Sequence, residues 1–351
     1  MIYRGKNILP FLLRWPESLN NNEIDFIKQF YNDYSIPFIK ELVLKENIVP
    51  FASHIFIFLK CDESYWKKEH DLFLKRNTII KSTLDSIFNK SNSAGIKSLT
   101  LTENFASLLL SKSCLGCFSS GDVDLSADIS EKDKIILCMK SVRFFVDKRK
   151  KSSSITEKQC TMFYNDSIID SGLWINVVWV SVTRSFLDQK KFNTRLYSSR
   201  LNPTIIDNTD IRVLSPTSLL YFCALHIAAG HYYTLSPGIR LYVDIDRLVL
   251  NFKINWDQII KWEKEDNSGI RISMVLFLCK NLLKTKIPNK VFKKILDDSA
   301  ELKSYLYNPK SMMIQKNGGR INRLYVELAS KSRNLVTFLI ERFVKSFVSS
   351  V

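Results

Sequence analysis

Two aspartates in one short β-rich run are the residues of this sequence best suited to chemistry. Asp122 and Asp124 stand in the run SSGDVDL, with Val123 between them. Alternate side chains of a strand share a face, so both carboxylates would project together while Val123 turns into the core. Carboxylate oxygens suit a hard cation such as Mg²⁺, which in turn binds phosphate oxygens. The pair therefore predicts a magnesium site for a phosphate-bearing substrate.

The small residues that lead into this run are candidates for contact with that substrate. Ser119, Ser120 and Gly121 leave room for phosphate oxygens to approach the backbone, so we predict that they bind a nucleotide. An Asp-x-Asp triplet alone is more often a solvated turn. Here it lies between a strand–helix unit and a long helix, and a later strand could supply a partner.

The elements that must position these residues follow from hydrophobic periodicity. Residues 22–90 read as helices, because apolar residues recur every three or four positions. Between residues 96 and 182 short β-rich runs alternate with helical stretches. Beyond residue 205 helical patterns return, with starts at Ser215–Pro216 and Asn255–Gln258 and an end at Gly230. These patterns predict an α+β fold.

The same patterns divide the chain into three parts. We predict an N-terminal helical segment over residues 1–95, a core with a small mixed sheet over 96–182, and a C-terminal helical domain over 183–351. Gly and Pro are scarce, at 10 and 9 residues, which favours short connections over flexible linkers.

Several runs resemble the nucleotidyltransferases of the polymerase-beta superfamily, in particular a broad bacterial group of that superfamily. SGDVDL is similar to the group's Gly-Asp-x-Asp-Leu strand, and RVLSPTSLLYFCALHIAAGH is similar to its LSPxxxLLxxxxHxxxH helix. LYVDIDRLV, which contains Asp244, and INWDQIIKW also resemble runs of the group, as does KELVLKENIVPFASHIF near the N-terminus. The resemblance implies a nucleotidyltransferase core, with Asp122 and Asp124 as catalytic metal ligands.

The activity that the resemblance implies is transfer of a nucleotidyl group from a nucleoside triphosphate to an acceptor, with release of pyrophosphate. Such a site holds two Mg²⁺ ions, one at the leaving oxygens and one at the attacking hydroxyl. The acceptor, whether small molecule, protein or nucleic acid, is left open. Among the helical-domain residues, Arg240 is the expected triphosphate contact, with an ion pair to Asp244 or Asp246 as the alternative.

Two positions depart from the pattern of the group. Asn176 occupies the position of the third catalytic carboxylate, and its amide cannot act as a base, so the second metal ion would bind weakly. Asp166 and Asp170 are nearby alternatives in a turn. Glu103 stands where the group has a phosphate-binding Lys-Gly or Gly-Ser turn, and its charge would repel phosphate. A catalytically degenerate nucleotide-binding or scaffolding module is therefore an alternative function.

Cysteines and histidines give weaker indications. Cys114 and Cys117 form a Cys-x-x-Cys pair, but no second pair follows at zinc-binding spacing, which favours two half-buried thiols. His226 shares a helical stripe with apolar residues and reads as a hydrogen-bonded core histidine. His231 could reach the cleft.

Charge and hydropathy predict which partners the protein attracts and where in the cell it lies. The formal charge of +16 attracts polyanions, which keeps nucleic-acid binding as a further alternative. No apolar run is long enough for a transmembrane segment, and the scattered cysteines favour a cytoplasmic location. The amphipathic, basic residues 322–351 fit peripheral membrane contact or, more commonly, packing on the domain's own core.

Overall fold

The computed structural model describes residues 7–119, 121–147, 160–168, 172–179, 203–231, 238–265 and 271–292. Three sequence predictions fall outside these ranges: those for Ser120, for Asp170 and for the amphipathic segment 322–351.

Helices make up the N-terminal part, as predicted. Helix α2 begins with a reciprocal cap, because Asn20 Oδ1 accepts from the Glu23 amide at 3.0 Å and the Glu23 carboxylate accepts from the Asn20 amide at 3.0 Å. Helix α4 is apolar and packs against the long helix α5. The bounds are α1 Leu9–Leu12, α2 Asn21–Asp33, α3 Ile36–Lys45, α4 Val49–Phe58 and α5 Glu63–Ser93.

A mixed sheet forms the centre of the molecule. Its strands are β1 Thr100–Leu101, β2 Asp122–Ser126, β3 Phe145–Val146, β4 Cys160–Asn165, β5 Leu173–Val178, β6 Pro203–Ile205 and β7 Arg212–Leu214. Their order in the sheet is β3-β4-β5-β2-β1-β7-β6. Helices α6 Glu103–Leu110 and α7 Lys132–Ser141 connect strands of the core. The sheet also takes in β6 and β7 from beyond residue 182.

Register decides which side chains of the central strands meet. Strand β2 runs parallel to β5, with Asp124 opposite Asn176. Val123, Leu125, Ile175 and Val177 are buried on one face of these strands. Asp122, Asp124 and Asn176 consequently project from the other face, as the alternation of the strands predicts.

Helices of the C-terminal part pack on α6 and on one another. They are α8 Pro216–Gly230, α9 Tyr242–Asn251, α10 Trp256–Glu265 and α11 Arg271–Leu283. The predicted limits of α8 are confirmed, and the predicted cap of α10 forms, since Asn255 Oδ1 accepts from the Gln258 amide at 3.1 Å. The α+β class is confirmed. Among the described helices, none is both long and apolar enough to cross a bilayer.

Candidate functional site

Asp122, Asp124 and Asn176 meet at the predicted point. Asn176 Nδ2 donates to Asp122 Oδ2 at 3.1 Å and to Asp124 Oδ1 at 3.0 Å. One oxygen from each aspartate is therefore directed at the same nitrogen atom. The side-chain oxygen of Asn176 is buried, and none of the described residues offers it a hydrogen bond.

Glu103 adds a third carboxylate to this group. Its side chain, 8% exposed, reaches from the first turn of α6, and a side-chain hydrogen bond joins it to Asp124. The turn that carries it is fastened to β2, because the Thr102 amide and hydroxyl both donate to the Asp124 carbonyl, at 2.9 and 3.1 Å. From the sequence we predicted only that the charge of Glu103 would repel phosphate. Its contact with Asp124 arises from the tertiary fold.

The pKa values of two of these carboxylates are shifted in opposite directions. Burial, followed by the charges of Glu103 and Asp122, raises the pKa of Asp124 well above its usual range. Burial also acts to raise the pKa of Glu103, but the nearby His226 outweighs it and the Glu103 pKa is lowered. Asp124 therefore favours its protonated form, whereas Glu103 favours its ionised form.

Two histidines continue the hydrogen-bonded group away from the strands. His226 Nδ1 lies 3.1 Å from Glu103 Oε1, and His226 Nε2 lies 2.7 Å from His231 Nε2. His226 thus has the hydrogen-bonded position that the sequence predicted, with a carboxylate as its partner. A continuous series leads from Asp124 through Glu103 and His226 to His231.

Two arginines supply positive charge beside Asp122. Arg240 lies on a 3-10 turn, Ile239–Leu241, where it interacts electrostatically with Asp244 and Asp122. Arg76, on α5, also interacts with Asp122. Burial lowers the pKa of both guanidinium groups, and the carboxylates oppose that effect. The sequence pointed to Arg240 but missed Arg76, which lies in an otherwise ordinary amphipathic helix.

The other predicted residues have different surroundings. Ser119 Oγ donates to the Asn47 carbonyl at 2.8 Å, so this hydroxyl fastens the loop before β2 to the α3–α4 connection. A Cβ built on Gly121 would have no atom of the described residues within 4 Å. Asp166 follows β4, two strands from β2, and lines a cavity with Phe145 and Tyr164. Of the nearby acidic residues, Glu103 rather than Asp166 joins the aspartate pair.

A mixed sheet with two aspartates on a central strand, and with further acidic and basic groups around them, is the arrangement that the resemblance to nucleotidyltransferases predicts. Comparison with known families agrees, since a family described as "Uncharacterised nucleotidyltransferase" matches residues 62–284. The chain belongs to this family. No curated protein and no solved structure matches the chain.

Proposed function

We propose that this protein transfers a nucleotidyl group from a nucleoside triphosphate to an acceptor, with a divalent cation held by Asp122, Asp124 and Glu103. One observation carries the proposal. Oxygens of Asp122 and Asp124 converge on the Asn176 amide nitrogen at 3.1 and 3.0 Å, and the Glu103 carboxylate adjoins Asp124. Glu103 supplies in space the third negative charge that Asn176 does not supply on β5.

The donor set fits a magnesium ion. Three carboxylates lie together, two of them half-buried, and desolvation followed by the charges of Glu103 and Asp122 favours protonation of Asp124. A divalent cation would remove that repulsion, and Mg²⁺ prefers oxygen ligands of this kind. When bound, Mg²⁺ would neutralise the triphosphate oxygens and lower the pKa of the acceptor hydroxyl.

Arg76 and Arg240 would bind the triphosphate. Both guanidinium groups interact with Asp122, and a guanidinium presents paired N–H donors that match phosphate oxygens. The open space beside Gly121 leaves the backbone before β2 accessible to the same oxygens. Arg76 from α5 and Arg240 from the helical part would thus hold the nucleotide from two directions.

The histidine series would accept the proton that the acceptor hydroxyl loses. Glu103 adjoins Asp124, its Oε1 lies 3.1 Å from His226 Nδ1, and His226 Nε2 lies 2.7 Å from His231 Nε2. With the proton of neutral His226 on Nε2, Nδ1 would accept the proton taken up at Glu103 while Nε2 passes its own proton to His231. This route would provide the base function that the Asn176 amide cannot perform.

Nucleotide binding to aspartate variants tests the proposal. Asp122→Asn and Asp124→Asn should each weaken Mg²⁺-dependent triphosphate binding at least about tenfold, because each removes a charge that holds the cation. Binding is measured by calorimetry with Mg²⁺ and with EDTA. Transfer is measured with nucleotides labelled at the α-phosphate, with the protein itself included as an acceptor.

The matched control is Asp128→Asn. Asp128 Oδ1 caps the 3-10 turn Ile129–Glu131 by accepting from the Ser130 amide at 2.9 Å. An asparagine at this position can accept the same hydrogen bond. This variant should bind like the natural protein. Unchanged Mg²⁺-dependent affinity in the Asp122/Asp124 double variant would contradict the metal site. Binding without any transfer would favour the nucleotide-binding module instead.

A further inference from the structure

A second cluster of metal-ligating side chains lies on the other side of the loop before β2. It comprises His54 on α4, His70 on α5, and Cys114 and Cys117 in the loop after α6. One potential ligand atom from each residue lies within 4.8 Å of all the others. None of these four side chains belongs to the carboxylate site.

Two thiols and two imidazoles in this arrangement are the ligand set of a structural zinc site. Tetrahedral zinc has bonds of about 2.3 Å to sulfur and about 2.0 Å to nitrogen, which separate the ligand atoms by about 3.3 to 3.8 Å. Cys114 Sγ and His70 Nε2 already lie 3.3 Å apart. Small side-chain movements would bring the remaining atoms to bonding distance.

The backbone between the two cysteines is shaped to fit the His70 ring. The Cys117 amide donates to the Cys114 carbonyl at 2.9 Å, which closes a tight turn. A Cβ at Gly116 would come within 2.4 Å of His70 Cε1 and Nε2, so only glycine lets the ring approach. The turn and the imidazole are thus fitted to each other at the nitrogen that faces Cys114.

Contacts around the cluster hold the loop from outside. The buried Asn77 donates through Nδ2 to the Leu115 carbonyl at 2.8 Å and to the Phe118 carbonyl at 3.1 Å. Arg247 Nη2 donates to the Cys117 carbonyl at 3.3 Å. Such fixing of the backbone around a metal-ligand turn keeps the ligands oriented.

We propose that His54, His70, Cys114 and Cys117 bind one zinc ion that fastens the loop before β2 to helices α4 and α5. The set has four protein ligands and needs no further ligand, so the ion is structural rather than catalytic. Cys117 precedes Asp122 by five positions in the sequence. The zinc ion therefore attaches the loop that leads into strand β2 to helices α4 and α5.

The zinc content of the purified protein tests this proposal directly. Protein prepared in zinc-containing medium, without chelators, should carry one zinc ion per chain by mass spectrometry of the metal. An organomercurial thiol reagent should release that ion. After exchange into Co²⁺, a thiolate-to-cobalt charge-transfer band and tetrahedral d–d bands should appear.

Variants identify the ligands. Cys114→Ser and His54→Ala should lose the zinc, whereas Cys61→Ser, which alters another half-buried free cysteine, should retain it. His54→Cys exchanges one zinc ligand for another, so it should keep the ion and strengthen the charge-transfer band. This variant also tests the site if Cys114→Ser or His54→Ala folds poorly.

Four results would overturn the proposal. The first is a reduced natural protein that contains no zinc after preparation in zinc-containing medium. The second is full zinc retention in Cys114→Ser and His54→Ala. The third is a stable Cys114–Cys117 disulfide in protein purified with a reducing agent, since a disulfide leaves no thiolate for the metal. The fourth is loss of the ion in Asp122→Asn, which would assign the ion to the carboxylate site.

Discussion

At the scale of single residues, Asn176 decides the electrostatics of the carboxylate site. Its amide donates to both aspartates, so in this structure an N–H group stands where the two carboxylate oxygens converge. An aspartate at this position would instead bring another negative charge within about 3 Å of them. The natural residue thus lets Asp122 and Asp124 stay together without a cation, at the expense of one potential metal ligand.

Asn176→Asp should make the protein dependent on divalent cation. In EDTA the added charge should lower the melting temperature, because repulsion between the half-buried carboxylates is uncompensated. Added Mg²⁺ should restore the melting temperature and increase nucleotidyl transfer. Thermal melts with and without Mg²⁺, together with the labelled-nucleotide assay, measure both effects.

Asn165→Asp provides a control for the same exchange elsewhere in the sheet. Asn165 Oδ1 accepts from the Ser167 amide and hydroxyl, and an aspartate can accept both hydrogen bonds. Its melting temperature should respond to Mg²⁺ as the natural protein does. If Asn176→Asp melts identically in Mg²⁺ and EDTA, the cation does not bind beside this residue.

At the scale of elements, the turn between β1 and α6 stores backbone strain. Glu103 has a φ of 60°, in the left-handed region that favours glycine, and its buried carboxylate contacts Asp124 and His226. A non-glycine residue in this region costs about 1 to 2 kcal/mol. The turn therefore keeps a conformation suited to glycine while it carries a charged group into the site.

A pair of variants isolates that strain. Glu103→Gly and Glu103→Ala both remove the carboxylate, but only glycine accepts the left-handed backbone freely. Glu103→Gly should therefore be more stable than Glu103→Ala by about 1 kcal/mol in urea unfolding. Equal stability, or a more stable alanine variant, would show that the turn relaxes when the carboxylate is removed.

At the scale of the whole molecule, buried polar contacts join parts that are distant in sequence. Arg247 on α9 donates to Asp244 at 3.0 Å and to the Cys117 carbonyl at 3.3 Å, and it lies over the ring of Trp15. Asp246 on the same helix accepts from Thr285 Oγ1 at 2.6 Å and interacts with Arg14. Helix α9 thus links the N-terminal segment, the loop before β2 and the end of α11.

Asp246 should make stability dependent on pH. Burial raises its pKa to about 6, and the Thr285 hydrogen bond and nearby arginines only partly oppose that effect. Because the pKa is raised in the folded state, the contribution of Asp246 to stability is fully present below about pH 4. It is lost as the pH rises through about 6. The side-chain oxygen of Asn in Asp246→Asn can still accept from Thr285. Because this side chain does not ionise, the variant does not lose stability as the pH rises.

The stability of Asp246→Asn relative to the natural protein should therefore increase by about 2 kcal/mol between pH 4.5 and pH 7.5. Urea unfolding at several pH values measures this difference. Asp257→Asn, at an exposed position, should show little change across the same range. A pH-independent difference for Asp246→Asn would contradict the assigned ionisation.

The sequence by itself determined the fold class and the aspartate pair. Apolar spacing distinguishes helices from strands, and alternation along β2 places Asp122 and Asp124 on one face, because both patterns are set by local backbone geometry. The resemblance to the polymerase-beta superfamily also led to the prediction that Asn176 stands at the third carboxylate position. Parallel pairing of β2 with β5 then brings that residue beside Asp124.

Only the tertiary structure decided which distant residues complete the two clusters. The sequence contains four histidines, and folding places His226 and His231 beside Glu103 and His54 and His70 beside the cysteine pair. No spacing rule links a histidine on α4 or α5 with a cysteine turn some forty or more positions later. Such contacts depend on how helices pack, which is set by long-range burial and leaves no local periodicity in the sequence.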